Sequence, residues 1–316
     1  MMAGTQPPGL RLIVSGAGGL IGSALVSRLS ATGHRILRLV RRQSGPQEIT
    51  WDPASGTLDP EKLEGADGVI HLAGENIGKR WTRARRIRIR NSRVHGTRLL
   101  SQTLARLQRP PRVLVSASAV GIYGSRGDEV LTETSPPGDP TDDFLVSVCL
   151  EWEAATEAAR DAGIRVVQSR FGLALSPEGG ALRKLLLPFR LGLGGPVGSG
   201  AQWMSWISLP DLTGAILHLI STETLAGPVN VSAPEPVSNR EFTGTLSRVL
   251  RRPAVLPVPA IGLRAVFGEM AERTLLSSAR VVPARLIQSG YRFDHPQIEI
   301  ALRAMLVRPR SSSFRV

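Results

Sequence analysis

The stretch Gly16-Ala17-Gly18-Gly19-Leu20-Ile21-Gly22 has the residue types and spacing to hold a pyrophosphate. Glycines let the chain turn tightly and bring backbone N–H groups against an anion, and a helix that follows presents its positive end to the same charge. A glycine triplet is weak evidence alone. It gains weight where a strand precedes it and a helix follows, as the flanking residues predict here. The second chemically informative pair is Arg41-Arg42, about 20 residues past the loop, where an NAD-specific site usually carries an acid for the ribose 2′-hydroxyl. Guanidinium groups there suit a 2′-phosphate, so the expected cofactor is NADP(H).

The elements that must position these residues follow from periodicity. Leu10 to Ser15 (LRLIVS) reads as a buried strand, and Ile21, Leu25 and Leu29 recur at helical spacing until Gly33. Arg35 to Val40 reads as the second strand. Further strand-like runs are Gly68 to Gly74, Arg112 to Ser118 and Ile164 to Arg170, separated by predicted helices near 82–108 and 143–162. This alternation predicts an α/β fold, a Rossmann-type doubly wound parallel sheet with ligands at the carboxyl ends of its strands. The expected division is a loose tail over 1–9, a dinucleotide-binding domain over 10–171 whose sheet takes later strands if it grows, and a smaller C-terminal substrate lobe over 172–316. Within that lobe a helix is expected near Asp211, and Ser238 with Glu241 has the spacing of a capping box.

Composition narrows the function classes. The chain has 316 residues, 42% of them hydrophobic, enough for a sizeable core. No apolar run approaches the roughly 18 to 20 residues that span a bilayer, so no membrane role and a cytoplasmic location are expected. The single cysteine, Cys149, excludes an intrachain disulfide, and no zinc-ligand spacing occurs. The net charge of +13 is concentrated in Arg80, Arg83, Arg85, Arg86, Arg88, Arg90 and Arg93. Without a recognition motif or an aromatic ladder, this reads as the solvated face of a helix rather than a nucleic-acid site.

DGVIHLAG (67–74), VHGT (94–97), SASAVGIYG (116–124) and WISLPDL (206–212) occur in the order found in the extended short-chain dehydrogenase/reductases, and the chain resembles their NAD(P)-dependent epimerase/dehydratase group over nearly its whole length. AGENIGKRW (73–81) and the tail VVPARLIQSGYRF are similar to an uncharacterised, atypical epimerase-like subfamily. The resemblance implies a cofactor strip along Leu72, Ala73, Gly74, Glu75 and Phe171, a small-molecule substrate, and a homodimer as a plausible assembly. It also implies an Asn, Ser, Tyr, Lys set, of which only Ser118 survives. Arg93 stands for the Asn, and Val148 and Trp152 for the Tyr and Lys; the only tyrosines, Tyr123 and Tyr291, have no Lys four residues on.

The remaining candidates for proton chemistry are Ser118, Tyr123 and Glu75. Ser118 would hydrogen-bond a substrate carbonyl or hydroxyl, or serve structure alone. Tyr123 would reach the pocket or be a packed aromatic with a satisfied hydroxyl. Glu75 would bind ribose hydroxyls, cap a helix, or transfer a proton. Lys79 and Arg80 read as a phosphate clamp or as exposed loop charges, Trp203 and Trp206 as a pocket wall or as packing. Two functions fit: an NADP(H)-dependent oxidoreductase acting on a small carbonyl or alcohol without the Tyr/Lys pair, or a non-catalytic NADP(H)-binding redox sensor.

Overall fold

The computed structural model describes residues 9–43 and 45–307, so all but Gly9 of the expected tail lies outside the described residues. β1 (Arg11–Ser15) runs into the glycine loop and α1 (Leu20–Ala31), then β2 (Arg35–Val40). β3 (Glu48–Asp52) and β4 (Thr57–Leu58) form a hairpin, and β5 (Gly68–His71) leads to α2 (Arg83–Leu104) and β6 (Val113–Ala119). β7 (Val130–Leu131), α3 (Phe144–Ala154), α4 (Glu157–Asp161) and β8 (Arg165–Phe171) follow. The rest of the chain adds β9 (Leu173–Ser176), α5 (Gly180–Arg190), β10 (Trp203–Met204), β11 (Trp206–Ser208), α6 (Leu209–Ser221) and β12 (Gly227–Val231). It ends with β13 (Val237–Ser238), α7 (Asn239–Leu250), α8 (Ala260–Phe267), β14 (Arg280–Val281), α9 (Ala284–Gln288) and α10 (Ile298–Leu306).

The main sheet has eight strands in the order β12-β8-β6-β5-β1-β2-β3-β4, all parallel except β4. The order reverses direction between β1 and β5, the switch point at which such sheets bind ligands. Alternate residues of β1 face opposite ways, as a two-residue pleat requires. Leu12 and Val14 enter one core with Leu25 and Leu29 of α1 and Leu212, Ile216 and Leu219 of α6. Ile13 enters the other with Leu100 and Leu104 of α2 and Ala159 of α4. Each such fully buried Leu, Ile or Val contributes about 1.5–3 kcal/mol. β12, drawn from beyond residue 171, completes this sheet, while α5, α7 and α10 close a third core around Trp206 and Phe242.

The single helix expected over 143–162 is two. Thr156 Oγ1 donates to the carbonyl of Glu153 at 2.6 Å and accepts from Gln168 Nε2 at 3.1 Å, a side-chain bond that competes with helix continuation. The cap expected at Ser238 is present, and two further caps occur. Thr82 caps α2 on the Arg85 amide, Ser238 caps α7 on the Glu241 amide, and α6 starts with Ser208 as its cap and Asp211 in its first turn. Among the described residues, no helix is long and apolar enough to cross a membrane.

Candidate cofactor and substrate site

The glycine loop lies where β1 meets β5. Gly16 has φ +70°, and a Cβ there would stand 2.7 Å from the Leu72 carbonyl carbon. A Cβ on Gly22 would fall 2.2 Å from the Gly16 oxygen, so α1 sits too close to the loop for any side chain. Gly18, by contrast, faces open space, with nothing within 4 Å of a hypothetical Cβ. Gly19 is the N-cap of α1, with no side-chain cap and no acidic residue in the first turn, so the helix end offers its N–H groups to an anion unopposed. Leu20 lies where a Cβ on Gly179 would meet it at 3.0 Å, Ile21 packs on the core, and Phe171 ends β8 half-buried against that same core. The cradle thus has the shape and polarity for a dinucleotide pyrophosphate.

Ser15 and His71 fix the switch point. The Leu72 and Ala73 amides donate to Ser15 Oγ at 3.1 and 3.3 Å, which leaves its hydroxyl proton for His71 Nδ1 at 2.6 Å. Burial pushes the His71 pKa down to about 4, so the imidazole is neutral and accepts that proton. Arg41 and Arg42 extend from the end of β2 into solvent; among the described residues neither guanidinium sits in an ion pair.

The second focus lies at the carboxyl end of β6. Ser118 Oγ donates to Glu153 Oε1 at 2.6 Å, and Arg170 grips that carboxylate from Nε at 2.8 Å and from Nη2 at 2.9 Å. The pair is nearly sealed, with 7% of the Arg170 and 13% of the Glu153 side chain exposed. Burial alone would lower the Arg170 pKa, but the hydrogen bonds and charge of Glu153 override it and raise it. Arg170 Nη1 also donates to the Tyr123 hydroxyl at 2.9 Å, which in turn donates to Asn230 Oδ1 at 2.8 Å. Tyr123 is fully enclosed and burial raises its pKa. The expectation that it reaches the pocket as an acid/base therefore fails: its proton is committed to Asn230, and it is the packed aromatic with a satisfied hydroxyl.

Other sequence candidates are placed as follows. The Glu75 carboxylate pairs with Arg85 at 3.3 Å, and its amide donates to Ser92 Oγ. Leu72 and Ala73 are half-buried and Gly74 exposed, beside the loop. Lys79 is exposed, whereas Arg80 donates to the Ala265 and Val266 carbonyls and so tethers the end of α8. Arg86 with Glu269 and Arg90 with Glu151 are further ties from the basic helix to neighbouring elements. Trp206 is core, its Nε1 donating to Glu235, while half-buried Trp203 carries Arg280 over its ring at 4.2 Å. Val148 and Trp152 are buried on α3.

Sequence reasoning missed Glu153 and Arg170. Their only sequence signal was two charges, one on a helix whose buried residues are otherwise apolar and one at the end of a strand beside buried Gln168 and Ser169.

A strand order reversing at β1, a glycine cradle at that reversal and an uncapped helix end define a dinucleotide-binding Rossmann protein. The sequence profile of the NAD dependent epimerase/dehydratase family matches residues 12–232, and a domain of unknown function, DUF1731, matches 258–305. The chain belongs to that epimerase/dehydratase family. It is 42% identical to an epimerase family protein of Mycobacterium bovis over 298 residues, 94% of this chain and 97% of that one. The human epimerase family protein SDR39U1, crystallised with NADPH, superposes with a TM-score of 0.86 at 36% identity, covering 94% of this chain and 99% of the human one. A nucleoside-diphosphate sugar epimerase from Corynebacterium glutamicum superposes at 0.78 with 38% identity, over 94% of this chain and 58% of that chain.

Proposed function

We propose that the chain is an NADP(H)-dependent oxidoreductase that exchanges hydride with a small alcohol or carbonyl compound at Ser118. The observation that carries the reading is the Ser118 hydroxyl bonded to a buried, arginine-held carboxylate on the same edge of the sheet as the glycine cradle. Gly16, Gly18, Gly19, Leu20, Ile21 and Gly22 would hold the dinucleotide, Arg41 and Arg42 its 2′-phosphate, and Leu72, Ala73, Gly74 and Phe171 its flank. When bound, NADP(H) supplies or accepts the hydride.

The chain's own part is proton handling. A carboxylate gripped by Arg170 only accepts hydrogen bonds, so Ser118 gives its hydroxyl proton to Glu153 and keeps its lone pairs for a donor. An alcohol O–H is the complementary group. On oxidation its proton passes to Ser118 Oγ as the Ser118 proton passes to Glu153 Oε1, and reduction runs the transfer backwards. This relay would take over the proton transfer that the family resemblance assigns to a tyrosine and a lysine, whose places Val148 and Trp152 hold.

A non-catalytic NADP(H) sensor is the second reading, favoured by one observation: both phenols are committed, Tyr123 to Asn230 and Tyr291 to the Asp211 carbonyl. Fluorescence titration with NADPH and NADH, followed by turnover on a panel of carbonyls and alcohols, separates the two. The oxidoreductase reading expects tighter NADPH than NADH binding, a preference lost by at least about tenfold in Arg41→Ala/Arg42→Ala. It also expects turnover that falls about 100-fold in Ser118→Ala with NADPH affinity kept. Tight binding without turnover across the panel favours the sensor, and no NADPH binding sinks both.

A further inference from the structure

We propose that Arg93 is an anion-binding residue of this site, whose free guanidinium edge takes a carboxylate or phosphate group through paired hydrogen bonds. The inference rests on the preceding reading only for which molecule brings the anion.

Arg93 lies on α2, and its side chain points inward, unlike the basic face of that helix. Its Nη1 spends its hydrogens on the carbonyls of Glu75 at 3.1 Å and Ile89 at 3.2 Å. Its Cζ lies 5.0 Å from the Trp152 ring centroid, and a Cβ on Gly74 would come within 3.3 Å of that same Cζ. The guanidinium is therefore held in place by two carbonyls, an indole and the exposed Gly74 of the cofactor strip. A guanidinium has five N–H donors in a planar fork, so those on Nε and Nη2 remain. Among the described residues neither atom has a hydrogen-bond partner, and neither belongs to the fully enclosed polar atoms that lack one. That edge is open, and the fork it presents matches an oxyanion.

The charge balance points the same way. Arg85, Arg86 and Arg90 of α2 each pair with a carboxylate, as does buried Arg170. Among the described residues Arg93 has no carboxylate within 4.0 Å, although it is desolvated enough for its pKa to be lowered. Glu75 is near enough to act on it but is already held by Arg85. Cys149, also near, supplies no charge, because burial pushes its thiol up to about 12. A cation drawn from water without a counter-ion is costly, and a bound anion removes that cost. Two sources fit the chemistry: a phosphate of the dinucleotide itself, or an acidic group on the substrate.

The test is arginine Nε–H NMR on the full chain at constant ionic strength. The Arg93 signal is the one missing from Arg93→Lys, or from Arg93→Gln should the lysine variant not fold. Acetate and inorganic phosphate are the probes, with acetamide as the neutral isostere of acetate. The proposal expects a saturable shift of that signal with acetate or phosphate and none with acetamide. If the acetate response persists in NADPH-saturated protein, the anion belongs to a second molecule. If NADPH itself shifts the signal and abolishes the acetate response, the anion is the cofactor's. Loss of NADPH binding with the acetate shift intact refutes the cofactor reading and leaves Arg93 standing. No saturable shift with either anion, with or without NADPH, overturns the proposal.

Discussion

Arg170→Met removes the cation that holds Glu153 and leaves a carboxylate in a nearly sealed pocket with one remaining partner, the Ser118 hydroxyl at 2.6 Å. Breaking a buried ion pair from one side costs about 3–5 kcal/mol, because the surviving charge is uncompensated. Tyr123 moderates the loss little: it keeps its bond to Asn230 but loses the donor from Arg170. At about 2.1 cal/mol/K per residue, a chain of 316 residues has an unfolding entropy near 0.7 kcal/mol/K, so the melting temperature should drop by about 5–8 °C. Adding Glu153→Gln removes the stranded charge, so the double variant should be more stable than Arg170→Met alone, with a coupling of at least about 1 kcal/mol in the double-mutant cycle. Circular dichroism melts of the four proteins provide the numbers. A loss under about 1 kcal/mol in Arg170→Met, or strictly additive effects, would refute the buried pair and with it the account of how Glu153 is aimed at Ser118.

Gly18→Ala and Gly22→Ala should separate binding from folding. The first meets nothing in the protein and should melt as wild type while weakening NADPH binding at least about tenfold; the second meets the Gly16 oxygen at 2.2 Å and should lower the melting temperature itself. His71 should titrate near 4 by NMR, so stability is full above about 6.5, where the unfolded histidine is neutral, and is lost as pH falls towards 4, by up to about 3 kcal/mol; a midpoint near 6.5 would contradict its burial. Arg93→Gln should leave the ligand-free protein as stable as wild type or stabilise it by about 1 kcal/mol, and a loss of about 3 kcal/mol would show that the guanidinium serves the fold instead.

The parts of the fold legible in the sequence are those whose signal is local. β1, its loop and α1 show a buried run giving way around glycines to a four-residue apolar period, β6 and β8 are runs buried on both faces, and β2 is an apolar run interrupted by exposed Arg38. β3 escaped because EITWD alternates over too few residues between glycine- and proline-rich turns. The break between α3 and α4 depends on Thr156 meeting Gln168 of β8, a contact with no trace in the helix's own pattern. The site divides along the same line. Glycine spacing advertises a phosphate cradle, but whether a hydroxyl is free or spent is a matter of partners far along the chain. Whether Tyr123 is available or packed turns on Asn230, 107 residues away, which takes its proton. Arg80 and Arg86 are exposed, as a solvated basic face requires, yet their ties to 265–269 have no local signal.

Arg170 and Arg93 show why counting charges in the sequence could not assign their roles. Both are arginines withdrawn from water on elements that frame the same sheet edge, and both press against an aromatic ring, Tyr123 at 5.2 Å and Trp152 at 5.0 Å. Arg170 finds a bidentate carboxylate inside the protein, so its burial is compensated before any ligand arrives, and its removal injures the fold. Arg93 finds two carbonyls, which orient the guanidinium without neutralising it, so its charge stays unspent in the unliganded chain. An orienting contact that leaves charge uncompensated costs stability and gains nothing for the fold, and that is the pattern expected of a residue whose partner is a ligand. The different outcomes expected for Arg170→Met and Arg93→Gln follow from this difference in partners, since residue type and formal charge are the same in both.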